Sequence, residues 1–249
     1  MSNEYIIDEI RENIGIITIN YPQALNSINE KMLQELAEKI KDYNQQKAVK
    51  VIILKGTEQA FAAGIDIKVL ATNLNYTKTV FQNMQNNFQQ ISNSQKPIIA
   101  SVSGFALGIG CEIAMACDII IAADNARFGL PELSIGLLPS FGGCGRLVSR
   151  IGKAKAMDMI LSGKAMTADE AETSGLISRV VTPEALFEES MKLAKRIAAL
   201  SENVVSVAKR IIAAAEDSSV SDLENLSSLN ALESSEFRQI LQNHASKKA

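Results

Sequence analysis

Histidine is almost missing from this chain. Its one copy, His244, sits in the polar tail Gln242-Asn243-His244-Ala245-Ser246-Lys247-Lys248. That scarcity removes HExxH and other histidine metal sites and argues against Ser-His-Asp and Cys-His catalysis. Proton transfer then falls to carboxylates, tyrosine or lysine. Cysteine is scarce too: Cys111, Cys117 and Cys144 form no CxxC pair and leave an odd count, against both a disulfide framework and a thiolate metal site. Long apolar runs are also lacking. The longest, Ile113 to Ala123, is broken by Asp118 and is too short to span a bilayer. The opening residues, Met1 to Glu9, are acidic and lack the basic and apolar regions of a signal peptide, so a cytoplasmic protein is expected. A formal net charge of −3 and a pI near 5.4 predict no attraction to nucleic acid or to an anionic membrane, and leave room for a local anion site.

What the chain does have is apolar sequence in short pieces. Of its 249 residues 47% are hydrophobic and 21% charged, enough for one sizeable core. Unalternating β-branched runs at Gly15–Asn20, Val49–Lys55, Pro97–Val102, Cys117–Ala122 and Leu176–Val181 predict strands buried on both faces. Helical periodicity lies between them. Ser27-Ile28-Asn29-Glu30 reads as a capping box opening a helix with Met32, Leu33, Leu36 and Ile40 on one side. Phe81, Met84, Phe88 and Ile91 mark a helix in an Asn/Gln-rich stretch, for which low-complexity disorder is the alternative. Thr167 to Glu170 caps a short helix that Gly175 can end, and Thr182-Pro183 starts another. From there helices are expected at Leu186–Leu200, Val204–Ala215 and Leu223–Leu241. No linker rich in Pro/Gly/Ser and no repeat of fixed period divides the chain. The expectation is one α/β core over residues 1–185 and a helical region over 186–249.

Two glutamates stand out, because the stretch from Pro97 to Leu147 is rich in glycine and apolar residues. The local sequences are Gly104-Phe105-Ala106-Leu107-Gly108-Ile109-Gly110-Cys111-Glu112 and Phe128-Gly129-Leu130-Pro131-Glu132-Leu133. An ionised carboxylate in apolar surroundings costs several kcal/mol unless it is paired, protonated or employed. A strand, a glycine turn and a helix from Cys111 onward would present the N–H groups of Ile109 and Gly110 to an anion. Each glutamate also has a structural account: Glu112 as a helix cap, Glu132 holding a turn or pairing with Arg127 or Arg146. A second glycine turn, Phe61-Ala62-Ala63-Gly64-Ile65-Asp66-Ile67-Lys68, is either an anion-binding loop or a plain strand-to-helix turn. Neither turn completes a P-loop or a dinucleotide fingerprint.

With these motifs in this order, the chain resembles the crotonase (enoyl-CoA hydratase/isomerase) superfamily from about Ile14 to Phe237. Further carriers of the resemblance are Ile16 to Asn26, Lys96-Pro97-Ile98-Ile99-Ala100, Cys117-Asp118 and Gly142-Gly143-Cys144-Gly145-Arg146-Leu147. It implies a crotonase-like spiral of ββα units followed by a C-terminal helical trimerisation region, in a homotrimer or homohexamer. It also implies an acyl-CoA thioester substrate and a reaction that needs no metal or redox cofactor. By position, the N–H groups of Ile65 and Ile109 are the implied oxyanion hole, Glu112 the activator of water and Glu132 the proton donor to C2. Implied substrate contacts come from Ala63, Gly64, Asp66, Ile67 and Lys68, from Gly108 and Gly110, and from Pro131 and Ser140. Because both carboxylates are present, the resemblance favours an enoyl-CoA hydratase, a lyase. A Δ3,Δ2-enoyl-CoA isomerase and a non-catalytic acyl-CoA- or RNA-binding relative are the alternatives. Four places depart from the pattern: Tyr21 and Gln23, where relatives often carry basic residues; Ser140; Cys144-Gly145; and the tail Glu236 to Ile240.

Overall fold

The computed structural model describes residues 5–67 and 77–214, together with Gln239 and Gln242. Lys68, the expected helix Leu223–Leu241 and, apart from Gln239, the divergent tail lie outside the described residues.

Five of the six strands of a large sheet stand at or within three residues of the apolar runs. They are β2 (Ile14–Ile19), β3 (Val51–Lys55), β5 (Ile98–Val102), β7 (Ile119–Ala123) and β10 (Arg179–Val181). β1 (Ile6–Arg11) completes it as an antiparallel edge, and the order is β1-β2-β3-β5-β7-β10. All other pairings in this sheet are parallel. Burial on both faces accounts for the lack of alternation in the sequence. Ile17, Ile19, Ile52, Leu54, Ile98 and Ala100 point into the main core. Their neighbours Ile14, Ile16, Val51, Ile53 and Ile99 point the other way, into a second cluster with Leu186 and Ala194.

A second sheet is built from much shorter strands, β4 (Ala60–Ala62), β6 (Phe105–Leu107), β8 (Arg127–Gly129) and β9 (Met166–Thr167), in that order. Its first three strands are parallel and its last antiparallel. The chain alternates between the sheets: β3 leads to β4 and then α2 (Thr77–Ser92), β5 to β6 and then α3 (Ile109–Ala116), and β7 to β8 and then α4 (Gly143–Ser162). Each winding contributes one strand per sheet and one helix. The fold is the crotonase spiral of ββα units.

The remaining helices are α1 (Glu30–Gln45), α5 (Ala168–Ser174), α6 (Pro183–Ala198) and α7 (Glu202–Ala214). The amphipathic faces predicted for α1 and α2 are buried, α2 as a formed helix with Phe81, Met84, Phe88 and Ile91 in the core. The capping box at Thr167–Glu170 forms with both of its hydrogen bonds, and Gly175 ends α5 in the left-handed conformation. The one expected at Ser27–Glu30 does not form. Ile28 is held extended by a parallel bridge to Ile65, so α1 starts two residues later, with Asn29 as its cap accepting from the Met32 N–H. Asp118 accepts the Ile98 N–H at 2.7 Å and an ion pair from Lys209 at 2.8 Å, which ties α7 to the start of β5.

Candidate active site

The site grows out of three loops at the ends of the short strands. After β2, Leu25 and Asn26 adopt left-handed backbone angles, and Asn26 is fully buried. Its side chain accepts the Tyr21 N–H at 2.6 Å and donates to the Ala60 carbonyl at 2.7 Å, while the Ala63 N–H donates to Leu25. This loop fixes the next one, residues 63–67, against β4. In the bridge to Ile28, the Gly64 carbonyl and the Asp66 N–H are engaged. A parallel bridge of that register turns the N–H of the intervening residue, Ile65, away from Ile28.

The third loop enters α3. Gly108 is its cap, at φ 53°, a conformation that side chains of L-residues resist. A Cβ on Gly108 would stand 3.5 Å from the Gly64 Cα and 3.0 Å from Glu132 Oε1. The two glycine loops are thus in van der Waals contact, with a carboxyl oxygen beside them. The first intrahelical bond runs from the Glu112 N–H to the Gly108 carbonyl, so the N–H of Ile109, first residue of α3, lies outside the helical ladder. The helix begins at Ile109 rather than at Cys111, because β6 takes up the middle of the expected turn.

Glu112 and Glu132 line the same cleft, of about 620 Å³ and partly open to solvent. Their surroundings differ. Glu112 is 1% exposed, and its Oε1 accepts N–H bonds from Phe141 at 2.8 Å and Gly143 at 3.0 Å. Gly143 is the first residue of α4, so Glu112 caps a neighbouring helix, not its own. Two donors and a helix N-terminus stabilise negative charge on that oxygen. Glu132 opens the 3-10 turn Glu132–Ile135. It is also buried, and its Oε2 has no hydrogen-bond partner among the described residues. Burial pushes this carboxyl up to about 7. Arg127 and Arg146 are otherwise engaged, donating to the carbonyls of Ala126 and Phe141. Two buried carboxyls in different hydrogen-bonding surroundings, one of them raised toward neutrality by burial, stand where a proton could be taken on one side of a substrate and given on the other.

Ala63, Gly64, Ile65, Ile67, Gly108, Ile109, Pro131 and Ser140 also line the cleft. Gly110 and Asp66 do not. Gly110 lies against the Ala62 carbonyl, which a Cβ there would overlap, so it serves the packing of α3 on β4. The Asp66 N–H is spent on Ile28. Phe81, Ser134, Ile135, Leu137, Leu138 and Phe141 line the cleft as well, with no signal in the sequence to mark them as such. Helical spacing marked Phe81 as core, and apolar residues carry no chemical signature of a binding wall.

The enoyl-CoA hydratase/isomerase family model matches residues 9–248. The chain belongs to that family. Among relatives, it is 46% identical over 212 residues to a probable enoyl-CoA hydratase of Rhizobium meliloti, covering 85% of this chain and 82% of the relative. A crotonyl-CoA hydratase of Syntrophomonas wolfei is 37% identical over 233 residues, 93% of this chain and 88% of that one. The crystal structure of an enoyl-CoA hydratase/isomerase from Xanthobacter autotrophicus Py2 superimposes with a TM-score of 0.90 at 26% identity, covering 98% of this chain and 93% of the other. Among the described residues of this family member, no helix is long and apolar enough to cross a membrane.

Proposed function

We propose that this chain is an enoyl-CoA hydratase, a hydro-lyase that reversibly adds water to a trans-2-enoyl-CoA and yields the 3-hydroxyacyl-CoA. The observation that carries the reading is the convergence on one cleft of two buried glutamates, one held by two main-chain N–H groups and the other raised toward neutrality by burial, beside the backbones of Ile65 and Ile109. Attack of water at C3 drives charge onto the thioester oxygen as an enolate. The N–H groups of Ile65 and Ile109 bind that oxygen, each contributing roughly 10²–10³ in rate. Glu112 removes a proton from the attacking water, and Glu132 delivers one to C2. The glycine loop carrying Ala63, Gly64 and Ile67 supports the pantetheine arm.

Residues 1–185 carry this site, and residues 186–249 form the helical region through which chains assemble as trimers or hexamers. The exposed Leu200, Val204, Val207 and Ile212 in and beside α7 support that assembly. Light scattering of the purified protein measures it.

Product analysis tests the function. With crotonyl-CoA in ¹⁸O-labelled water, the 3-hydroxybutyryl-CoA formed should carry the label at C3. Migration of the double bond of a 3-enoyl-CoA, without any hydration of the 2-enoyl substrate, would replace hydratase by isomerase.

A further inference from the structure

Beyond the two glutamates, the cleft changes character. Among its described lining residues there is no lysine, arginine or histidine. The hydroxyls of its two serines are spent locally, Ser134 on the Pro131 carbonyl at 2.7 Å and Ser140 on the Leu138 carbonyl at 2.6 Å. What remains is apolar, and part of it is aromatic. Phe141 contributes both its N–H to Glu112 and its ring to the wall, so this ring stands next to the carboxylate that serves C3. Phe81, from α2, stacks on it with centroids 6.1 Å apart and planes 24° apart. Phe88 backs the same ring at 5.4 Å, and the Arg146 guanidinium lies over Phe88 while donating to the Phe141 carbonyl. All three rings are buried, and a stack supported from behind does not yield to a ligand without loss of packing.

We infer that Phe81 and Phe141 form the end wall of the acyl pocket and restrict this chain to short, uncharged 2-enoyl thioesters, with Phe81 the residue that sets the length. The inference rests on the hydratase reading and deepens it. Both rings line the same cleft as the two glutamates, and on this reading an acyl chain leaving C3 runs toward them. A terminal carboxylate there would be desolvated with no cation among the described lining residues to meet it and with Glu112 and Glu132 nearby, a cost that apolar contacts do not offset. One relative, the 2,3-dehydroadipyl-CoA hydratase of Escherichia coli, is named for a substrate of that charged kind, and this wall is unsuited to it.

The test is kcat/KM on four-, six- and ten-carbon trans-2-enoyl-CoAs and on 2,3-dehydroadipyl-CoA, with wild type, Phe81→Ala and Phe81→Leu. Single methylenes in apolar pockets discriminate by about tenfold or more. Wild type should lose about that much or more between six and ten carbons, and a similar factor between the six-carbon and the dehydroadipyl thioester. Phe81→Ala should raise the ratio of ten-carbon to four-carbon kcat/KM about tenfold, with Phe81→Leu shifting it less in the same direction. Because the readout is a ratio, a general loss of folded protein cancels. A flat length profile in wild type, or a ratio unmoved in both variants, overturns the length limit and leaves the hydratase standing. Equal turnover of the dehydroadipyl thioester overturns the exclusion of charge. Failure to hydrate any of the four removes the hydratase reading and this inference with it.

Discussion

Glu112 offers one oxygen to two main-chain N–H groups at the start of a helix, whereas Glu132, across the same cleft, opens a short 3-10 turn where burial pushes its carboxyl up to about 7. Both are glutamates and both are buried. What differs is where their backbone donors come from. The turn that ends in Gly143 brings two N–H groups of another segment to Glu112, whereas Glu132 takes a backbone hydrogen bond within its own short turn, and burial outweighs it. The same side chain thus meets two different surroundings, and the proposed division of proton taking and giving follows from them.

The most direct way to break the contrast is to remove its charge. Glu112→Gln and Glu132→Gln should each lower kcat for crotonyl-CoA hydration by about 10²–10⁴-fold, the usual worth of a positioned acid or base. Circular dichroism should show the fold retained. Moving the anionic member without neutralising it is a finer test. A Cβ on Gly143 would stand 2.7 Å from Glu112 Oε1, so Gly143→Ala should displace the carboxylate and cost about 10²-fold in turnover, as small misplacements of reacting groups do.

The smallest expected effect is the most specific. Glu132 in the folded protein holds its proton up to about pH 7, against an ordinary value of 4.5. The folded state thus binds the proton more tightly than the unfolded chain. The stability that this contributes is complete below about 4.5 and is lost as pH rises through about 7. Denaturant midpoints of the wild type should fall over that window by more than those of Glu132→Gln. The rate of hydration, kcat/KM, should decline above about pH 7 as the proton donor ionises, approaching about tenfold per pH unit, the limit for a single ionisation.

The same principle explains how far the sequence could be read. The large sheet was legible because its strands are buried on both sides and show as apolar runs, and the α1 and α2 faces because helical spacing is preserved within them. The small sheet was not. Strands of two or three residues such as Ala60–Ala62 and Met166–Thr167 carry no periodicity, and β6 hides inside a glycine-rich stretch that reads as a turn. Sequence pattern placed the two glutamates and both glycine loops, since a charge among apolar residues is conspicuous. It missed Asn26, whose buried amide joins three segments, because a lone asparagine looks like any loop residue. Nor did it show that the close approach demanding glycine at position 110 is to Ala62.

The seam where Gly64 meets Gly108 has one more consequence. In the proposed reaction, charge on the thioester is handled by the peptide groups of Ile65 and Ile109, which every amino acid supplies alike, while the side chain of Ile109 belongs to the core and that of Ile65 packs against it. Substitutions at those two positions would then alter packing and leave the donors in place.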